Sequence, residues 1–98
     1  MIALDTNVLV RYLVKDDAAQ AARAVSLIQG CVDRRERMFV GHIVLCEMTW
    51  VLMAGYSLSK NDVVAVLSQL IRTAQFDIES PDLVTRALTR YEEGRADF

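Results

Sequence analysis

Apolar residues along the chain form short continuous runs and longer stretches with helical spacing. The continuous runs are Met1–Leu4 and Met38–Gly41, and each predicts a strand. Phe76 and Ile78 alternate with Asp77 and Glu79, which predicts a third short strand. The first run ends at an acid, which is typical of a buried parallel strand. Between and after these runs, apolar residues recur three and four positions apart, so the sequence predicts helices there.

Capping residues set the expected helix boundaries. Asp5 or Thr6 precedes the first helix, and Asp16 and Asp17 precede the second, which is expected to end at Gly30. The third helix is expected from Ile43 to about Ala54, with Gly55 after it. Ser59 with Asp62 precedes the fourth, and Ser80-Pro81-Asp82 precedes the fifth, which is expected to end at Gly94.

The resulting order is strand, two helices, strand, two helices, strand, helix. Strands that alternate with helices predict an α/β fold in which helices flank a short parallel sheet. Right-handed crossovers place the C-terminal ends of such strands at one edge, which is where ligands gather. Asp5 directly follows the first strand and is therefore expected at that edge.

The composition indicates a folded domain of modest size. The 98 residues are 53% apolar and 24% charged, which predicts one globular domain over residues 1–98. No apolar run reaches transmembrane length and no secretory signal precedes the first strand, so a cytoplasmic location is expected.

The charge pattern does not indicate a generic nucleic-acid binder. The net charge is −2, yet acids clustered around a metal ion remain compatible with a nuclease. The basic residues in the run 33–37 are interpreted either as a solvated loop or as a patch that contacts phosphates.

Cysteine and histidine usage does not predict a zinc site. Cys31 and Cys46 lack the spacing of a zinc motif and have only His42 as a companion ligand. Both cysteines are expected to be free thiols in or near the core. A lone histidine matches no arrangement of nucleophile and base, so His42 is expected to have a structural or surface role.

Three acids are candidates for chemistry. Asp5 is either a helix cap or a site residue, and the two roles can coexist. Glu47 lies off the polar stripe through His42 and Thr49, among apolar neighbours, so its charge predicts a partner that is either a metal ion or a basic residue. Asp97 follows the last helix and is either a residue of the same edge or part of a frayed terminus.

Carboxylates brought together in this way favour a hard cation. Mg²⁺ and Mn²⁺ choose carboxylate oxygens and water, and they can activate a water for attack on a phosphodiester. Asp5 and Glu47 would be direct or water-bridged ligands. Thr6 and Asn7 would be positioners near the scissile phosphate, so the catalytic set predicted is Asp5, Glu47, Asp97, Thr6 and Asn7.

The run from Ile2 to Leu9 resembles the opening of PIN domains, especially the VapC-like toxins of type II toxin–antitoxin systems. The run 44–52 resembles the second acidic motif of that family, and the run 96–98 is similar to the start of the third. The resemblance implies a PIN-like three-layer fold and a Mg²⁺- or Mn²⁺-dependent endoribonuclease acting on structured cellular RNA. It also implies a homodimer, no membrane association, and inhibition by a cognate VapB-like antitoxin. Asp5 and Glu47 match metal-ligand positions, and Asp97 matches the leading Asp of the third motif.

The family's principal third acid follows that leading Asp within three residues, and a further strand comes after it. The sequence therefore predicts a domain that is incomplete at its C-terminus, with a final helix and strand missing. The alternative function is a non-catalytic PIN-like fragment that retains dimer or antitoxin binding. A phosphatase of the haloacid-dehalogenase type is disfavoured, because it needs a second Asp where Asn7 stands.

Overall fold

The computed structural model describes residues 1–14 and 18–94, which form five helices and a three-stranded sheet. The elements are β1 (Ile2–Ala3), α1 (Thr6–Val14), α2 (Ala18–Asp33), β2 (Met38–Val40), α3 (His42–Gly55), α4 (Lys60–Arg72), β3 (Phe76–Ile78) and α5 (Pro81–Glu92). This is the predicted α/β order. The expected start of the second helix at Asp16 and Asp17 and the candidate acid Asp97 lie outside the described residues.

The sheet is parallel, with the strand order β1-β2-β3. Ile2 pairs with Met38, and Val40 pairs with Ile78. Because all three strands run in the same direction, the chain leaves each of them on the same side. Residues 4–6, 41–42 and 79–80 follow the strands and form what we call the carboxyl edge.

The first strand is more exposed than its apolar sequence predicts. Leu4 is buried, but Met1 is 68% exposed and Ala3 is also exposed. Among the described strands β1 pairs only with β2, so it lies at an edge. The expectation of a buried strand was therefore wrong for Met1 and Ala3, because successive side chains of a strand point to opposite faces and the face with these two residues is exposed.

The core lies where the sheet and the helices meet. Its fully buried side chains include Leu9, Cys31, Met38, Val40, Leu45, Met48, Leu52, Val63, Leu67 and Leu70. The prediction that Cys31 belongs to the core is confirmed. The same prediction was wrong for Cys46, which is exposed on α3.

Helix α2 continues past the predicted stop at Gly30 and ends at Asp33. Arg35 is left-handed, with φ 55°, and its N–H donates to the carbonyl of Val32 at 3.0 Å. The N–H of Glu36 donates to the carbonyl of Cys31 at 2.8 Å. These two bonds form a Schellman motif with arginine at the position that usually carries glycine. The helix end is therefore set by the turn and not by Gly30.

Of the signals predicted at Ser59, Gly94 and Ser80, the first two are confirmed and the third is wrong. Ser59 accepts a hydrogen bond from the N–H of Asp62 at 3.1 Å, and Gly94 is left-handed (φ 77°) at the end of α5. Ser80 precedes Pro81 as predicted, but it is left-handed (φ 45°), and its hydroxyl makes no capping hydrogen bond among the described residues.

Helix α3 buries Thr49, one of the two residues of its predicted polar stripe. Thr49, expected with His42 on the solvent side, is only 8% exposed, and its hydroxyl donates to the carbonyl of Leu45 at 2.9 Å. The exposed face carries two large apolar side chains, since Ile43 is 75% and Trp50 is 70% exposed. An intrahelical bond satisfies the buried hydroxyl, so a threonine can face the core.

Candidate functional site

Asp5 lies at the carboxyl edge and caps helix α1. Its Oδ1 accepts a hydrogen bond from the N–H of Val8 at 2.8 Å, and its carbonyl accepts from the N–H of Leu9 at 3.2 Å. The side chain is exposed, and Oδ2 has no hydrogen-bond donor among the described residues. The cap role is therefore confirmed, and it holds the carboxylate in place with one oxygen available to a ligand.

Thr6 and Asn7 form the first turn of α1, next to Asp5. Thr6 is half-buried and Asn7 is exposed. Neither side chain has a hydrogen-bond partner within the described part of the chain. Their polar atoms are thus available beside Asp5, and their predicted positioning role stays a prediction.

Glu47 lies in the second turn of α3 and is exposed. The sequence argument that its charge is buried among apolar neighbours was wrong. Those neighbours, Ile43 and Trp50, are themselves on the surface, so solvent reaches the carboxylate, which has no partner among the described residues. Helix α1, which Asp5 caps, packs against α3, the helix that carries Glu47.

A complete metal centre is not assembled from the described residues. Residues 1–14 and 18–94 contain no group of three or more His, Cys, Asp or Glu side chains that could hold an ion. Mg²⁺ is commonly held by one or two carboxylates and several waters, so Asp5 and Glu47 fit such an ion in chemistry and in exposure. Asp97 lies outside the described residues.

His42 and Glu79 form a second unit at the carboxyl edge, and sequence reasoning missed it. The backbone N–H of His42 donates to Oε1 of Glu79 at 2.9 Å, and its Nε2 lies 2.7 Å from the carbonyl oxygen of Glu79. A carbonyl oxygen only accepts, so Nε2 carries the proton. This contact agrees with the structural role predicted for His42 and leaves Nε2 unable to act as a base.

The sequence contains a signal for this unit, but its parts lie far apart along the chain. Gly41 offers no side-chain acceptor to the start of α3. Glu79 follows the neighbouring strand at the same edge, where a carboxylate can serve as that acceptor. Recognising the pair requires the strand pairing, which places residues 37 positions apart side by side.

Two grooves flank the carboxyl edge. One lies between α1 and α2 and is lined by Val8, Arg11, Gln20, Arg23, Ala24 and Leu27. It starts one helical turn from Asp5 and brings two arginines to the same side of α1. The other lies between α3 and α5, and apolar side chains, including Cys46 and Leu83, provide most of its lining.

The basic run 33–37 lies away from the candidate site. It directly precedes β2 and therefore emerges at the edge opposite Asp5. Arg34 pairs with Glu36 at 3.5 Å, and Arg37 pairs with Asp77 at 3.7 Å. Both arginines are more than half exposed, which favours the solvated-loop interpretation.

Within the described residues no helix combines the length and hydrophobicity needed to cross a membrane.

Comparison with known proteins identifies the family. No curated protein sequence and no solved structure gives a significant match. A family model described as PIN domain matches residues 2–95, which include Asp5, Glu47 and the His42–Glu79 unit. The chain therefore belongs to the PIN domain family.

Proposed function

We propose that this protein is an endoribonuclease that depends on Mg²⁺ or Mn²⁺ and uses the acids at the carboxyl edge. PIN domains are commonly nucleases, and the family match spans residues 2–95. The observation that carries the proposal is the exposed carboxylate of Asp5, held by its cap at the end of β1. A fixed, accessible carboxylate at this edge is what an oxygen-preferring cation requires.

Each residue has a distinct task in this proposal. Asp5 and Glu47 would hold the ion, which would supply Lewis-acid stabilisation of the scissile phosphate and activation of the attacking water. Thr6 and Asn7 would orient the phosphate through a hydroxyl and an amide. Arg11 and Arg23 would bind flanking phosphates, because their groove begins one turn from Asp5.

The finer identity proposed is a VapC-like toxin that acts in the cytoplasm on structured cellular RNA. A cognate VapB-like antitoxin would inhibit it, and the protein would form a homodimer. The resemblance of the runs 2–9 and 44–52 supports this identity. The exposed Ile43 and Trp50 on α3 support self-association, because neighbouring exposed apolar side chains commonly mark an interface.

The test of activity is cleavage of total RNA by the 98-residue chain and by the full product of its gene. Cleavage with Mg²⁺ or Mn²⁺, its loss in EDTA, and its loss in Glu47→Gln are expected. Asp82→Asn is the matched control, since Asp82 is an exposed acid in the first turn of α5. If both proteins leave RNA intact with either metal, the nuclease proposal fails.

The same experiment separates the alternative function. Cleavage by the full gene product but not by the 98-residue chain would favour the non-catalytic fragment. Light scattering over a range of concentrations tests the homodimer, and Trp50→Glu is expected to shift it towards monomer. Co-purification with the product of an adjacent small reading frame tests the antitoxin.

A further inference from the structure

We propose that Glu79 is a positioning residue for the site at the carboxyl edge, acting through the start of α3. The inference deepens the proposed function and rests on it, because it concerns the helix that carries Glu47. Glu79 itself belongs to no cluster of three or more metal-binding side chains among the described residues. Glu79 contacts the start of α3 at two points instead.

The first point is the helix terminus. The first N–H groups of a helix lack partners within it, and Gly41, which precedes α3, has no side chain to accept from them. Oε1 of Glu79 accepts from the N–H of His42 at 2.9 Å. The negative charge also lies at the positive end of the helix dipole. Glu79 therefore caps α3 from the adjacent strand.

The second point is the His42 ring. Nε2 of His42 donates to the carbonyl of Glu79 at 2.7 Å, and Nδ1 lies 3.8 Å from Oε1 of Glu79. The carboxylate of Glu79 thus holds the backbone at the start of α3, and its backbone carbonyl holds the ring. Only the first of these contacts depends on the Glu79 side chain. Two points of attachment fix the rotation of the helix as well as its position.

The residue after Glu79 has an unusual backbone conformation. Ser80 is left-handed, with φ 45° and ψ 64°, although it is not glycine. A serine before a helix usually caps it, but the hydroxyl of Ser80 makes no such bond among the described residues. Strained residues persist where surrounding contacts determine them. The contacts next to this turn include those of Glu79 with His42, the bond from the N–H of Glu79 to the carbonyl of Val40 at 3.0 Å and the bond from the N–H of Val84 to the carbonyl of Ser80 at 3.1 Å.

The consequence falls on Glu47, which lies five residues after His42 on the same helix. A rotation of α3 at its start moves every side chain along it. Loss of the Glu79 cap is therefore expected to displace the Glu47 carboxylate from Asp5 without removing either one. The expected phenotype is weaker metal binding in a folded protein.

The test compares Glu79→Ala with Glu79→Gln and with Ser59→Ala. Ser59 caps α4 through its hydroxyl, so Ser59→Ala removes a comparable cap from a helix that carries no candidate site residue. Mn²⁺ binding is measured by electron paramagnetic resonance of the free ion, which requires no turnover. Melting temperature is measured in parallel by circular dichroism.

Both cap-removing variants are expected to melt about 4–8 °C lower, as a small domain does when it loses one cap. Only Glu79→Ala is expected to weaken Mn²⁺ binding, by about 10-fold, the low end of the range for partners that orient metal ligands. Glu79→Gln keeps an acceptor for the His42 N–H and is expected to stay within about 3-fold of the wild type by the same reasoning.

Three outcomes overturn the proposal. Equal Mn²⁺ affinity in Glu79→Ala and Ser59→Ala means that Glu79 is only a stabilising cap. Equal losses in Glu79→Gln and Glu79→Ala mean that charge attracts the ion directly. If the wild type does not bind Mn²⁺, or if its Mn²⁺ binding does not depend on Asp5 and Glu47, the proposed function is refuted. The positioning role is then refuted with it.

Discussion

Asp5 is a helix cap in the structure and a metal ligand in the proposal, and two substitutions separate these roles. Asp5→Asn is nearly isosteric and keeps an oxygen that can accept from the N–H of Val8, a contact of 2.8 Å. Asp5→Ala removes both the acceptor and the charge. Stability and activity are therefore expected to rank the variants differently.

The expected stability changes follow from the cap. Loss of an N-cap side chain costs about 0.5–2 kcal/mol, so Asp5→Ala is expected to lose about 1 kcal/mol. Asp5→Asn loses only the interaction of charge with the helix dipole, about 0.3–1 kcal/mol, and solvent screening of the exposed side chain places it at the low end. Urea unfolding followed by circular dichroism resolves this difference.

The expected activities do not follow that order. A lost metal ligand removes several kcal/mol of transition-state stabilisation. At about 1.4 kcal/mol per factor of ten, both variants are expected to cleave RNA at least on the order of 100-fold more slowly. A fluorogenic RNA substrate measures the rates. If Asp5→Asn cleaves at nearly the wild-type rate while Asp5→Ala does not, Asp5 is a cap alone and the metal-ligand role is refuted.

Further expectations concern the helix end, the buried hydroxyl and the basic groove. Arg35→Gly should raise the free energy of unfolding by about 0.5–1 kcal/mol, because it relieves a left-handed arginine, and a decrease would contradict the Schellman assignment. Thr49→Val should change it by less than about 1 kcal/mol, because no buried group loses its only partner, and a loss above about 2 kcal/mol would reveal another role for the hydroxyl. Arg11→Gln with Arg23→Gln should raise KM for RNA and flatten its salt dependence at unchanged kcat, and an unchanged KM would exclude the groove from RNA binding.

The order of elements was predictable because strong local signals mark it. Met38–Val40 is a short apolar run after charged residues, and the pair Ser59 and Asp62 opens α4 as a capping sequence should. Parallel strands then place Asp5 at the carboxyl edge through topology alone. The fold class and one candidate site position followed from these features.

Other features could not be predicted because local pattern does not determine them. Helix α3 is apolar on most of its surface, so periodicity could not show that Thr49 is buried and Trp50 exposed. The same ambiguity made Glu47 look buried. Arg35 ends a helix where glycine is usual, and only the turn that follows it explains why. The contact of His42 with Glu79 depends on strand pairing across 37 positions.

The shortness of β1 has an energetic consequence for whatever binds next to it. The N–H groups of Ile2 and Leu4 donate to the carbonyls of Arg37 and Phe39, at 3.0 and 2.9 Å, and tie this strand to β2. A two-residue edge strand belongs to the part of a fold that opens locally at low free energy. A ligand that binds at Asp5 is therefore expected to stabilise the ordered state of β1. Slower hydrogen exchange at Leu4 would report a bound ion or RNA before any product appears.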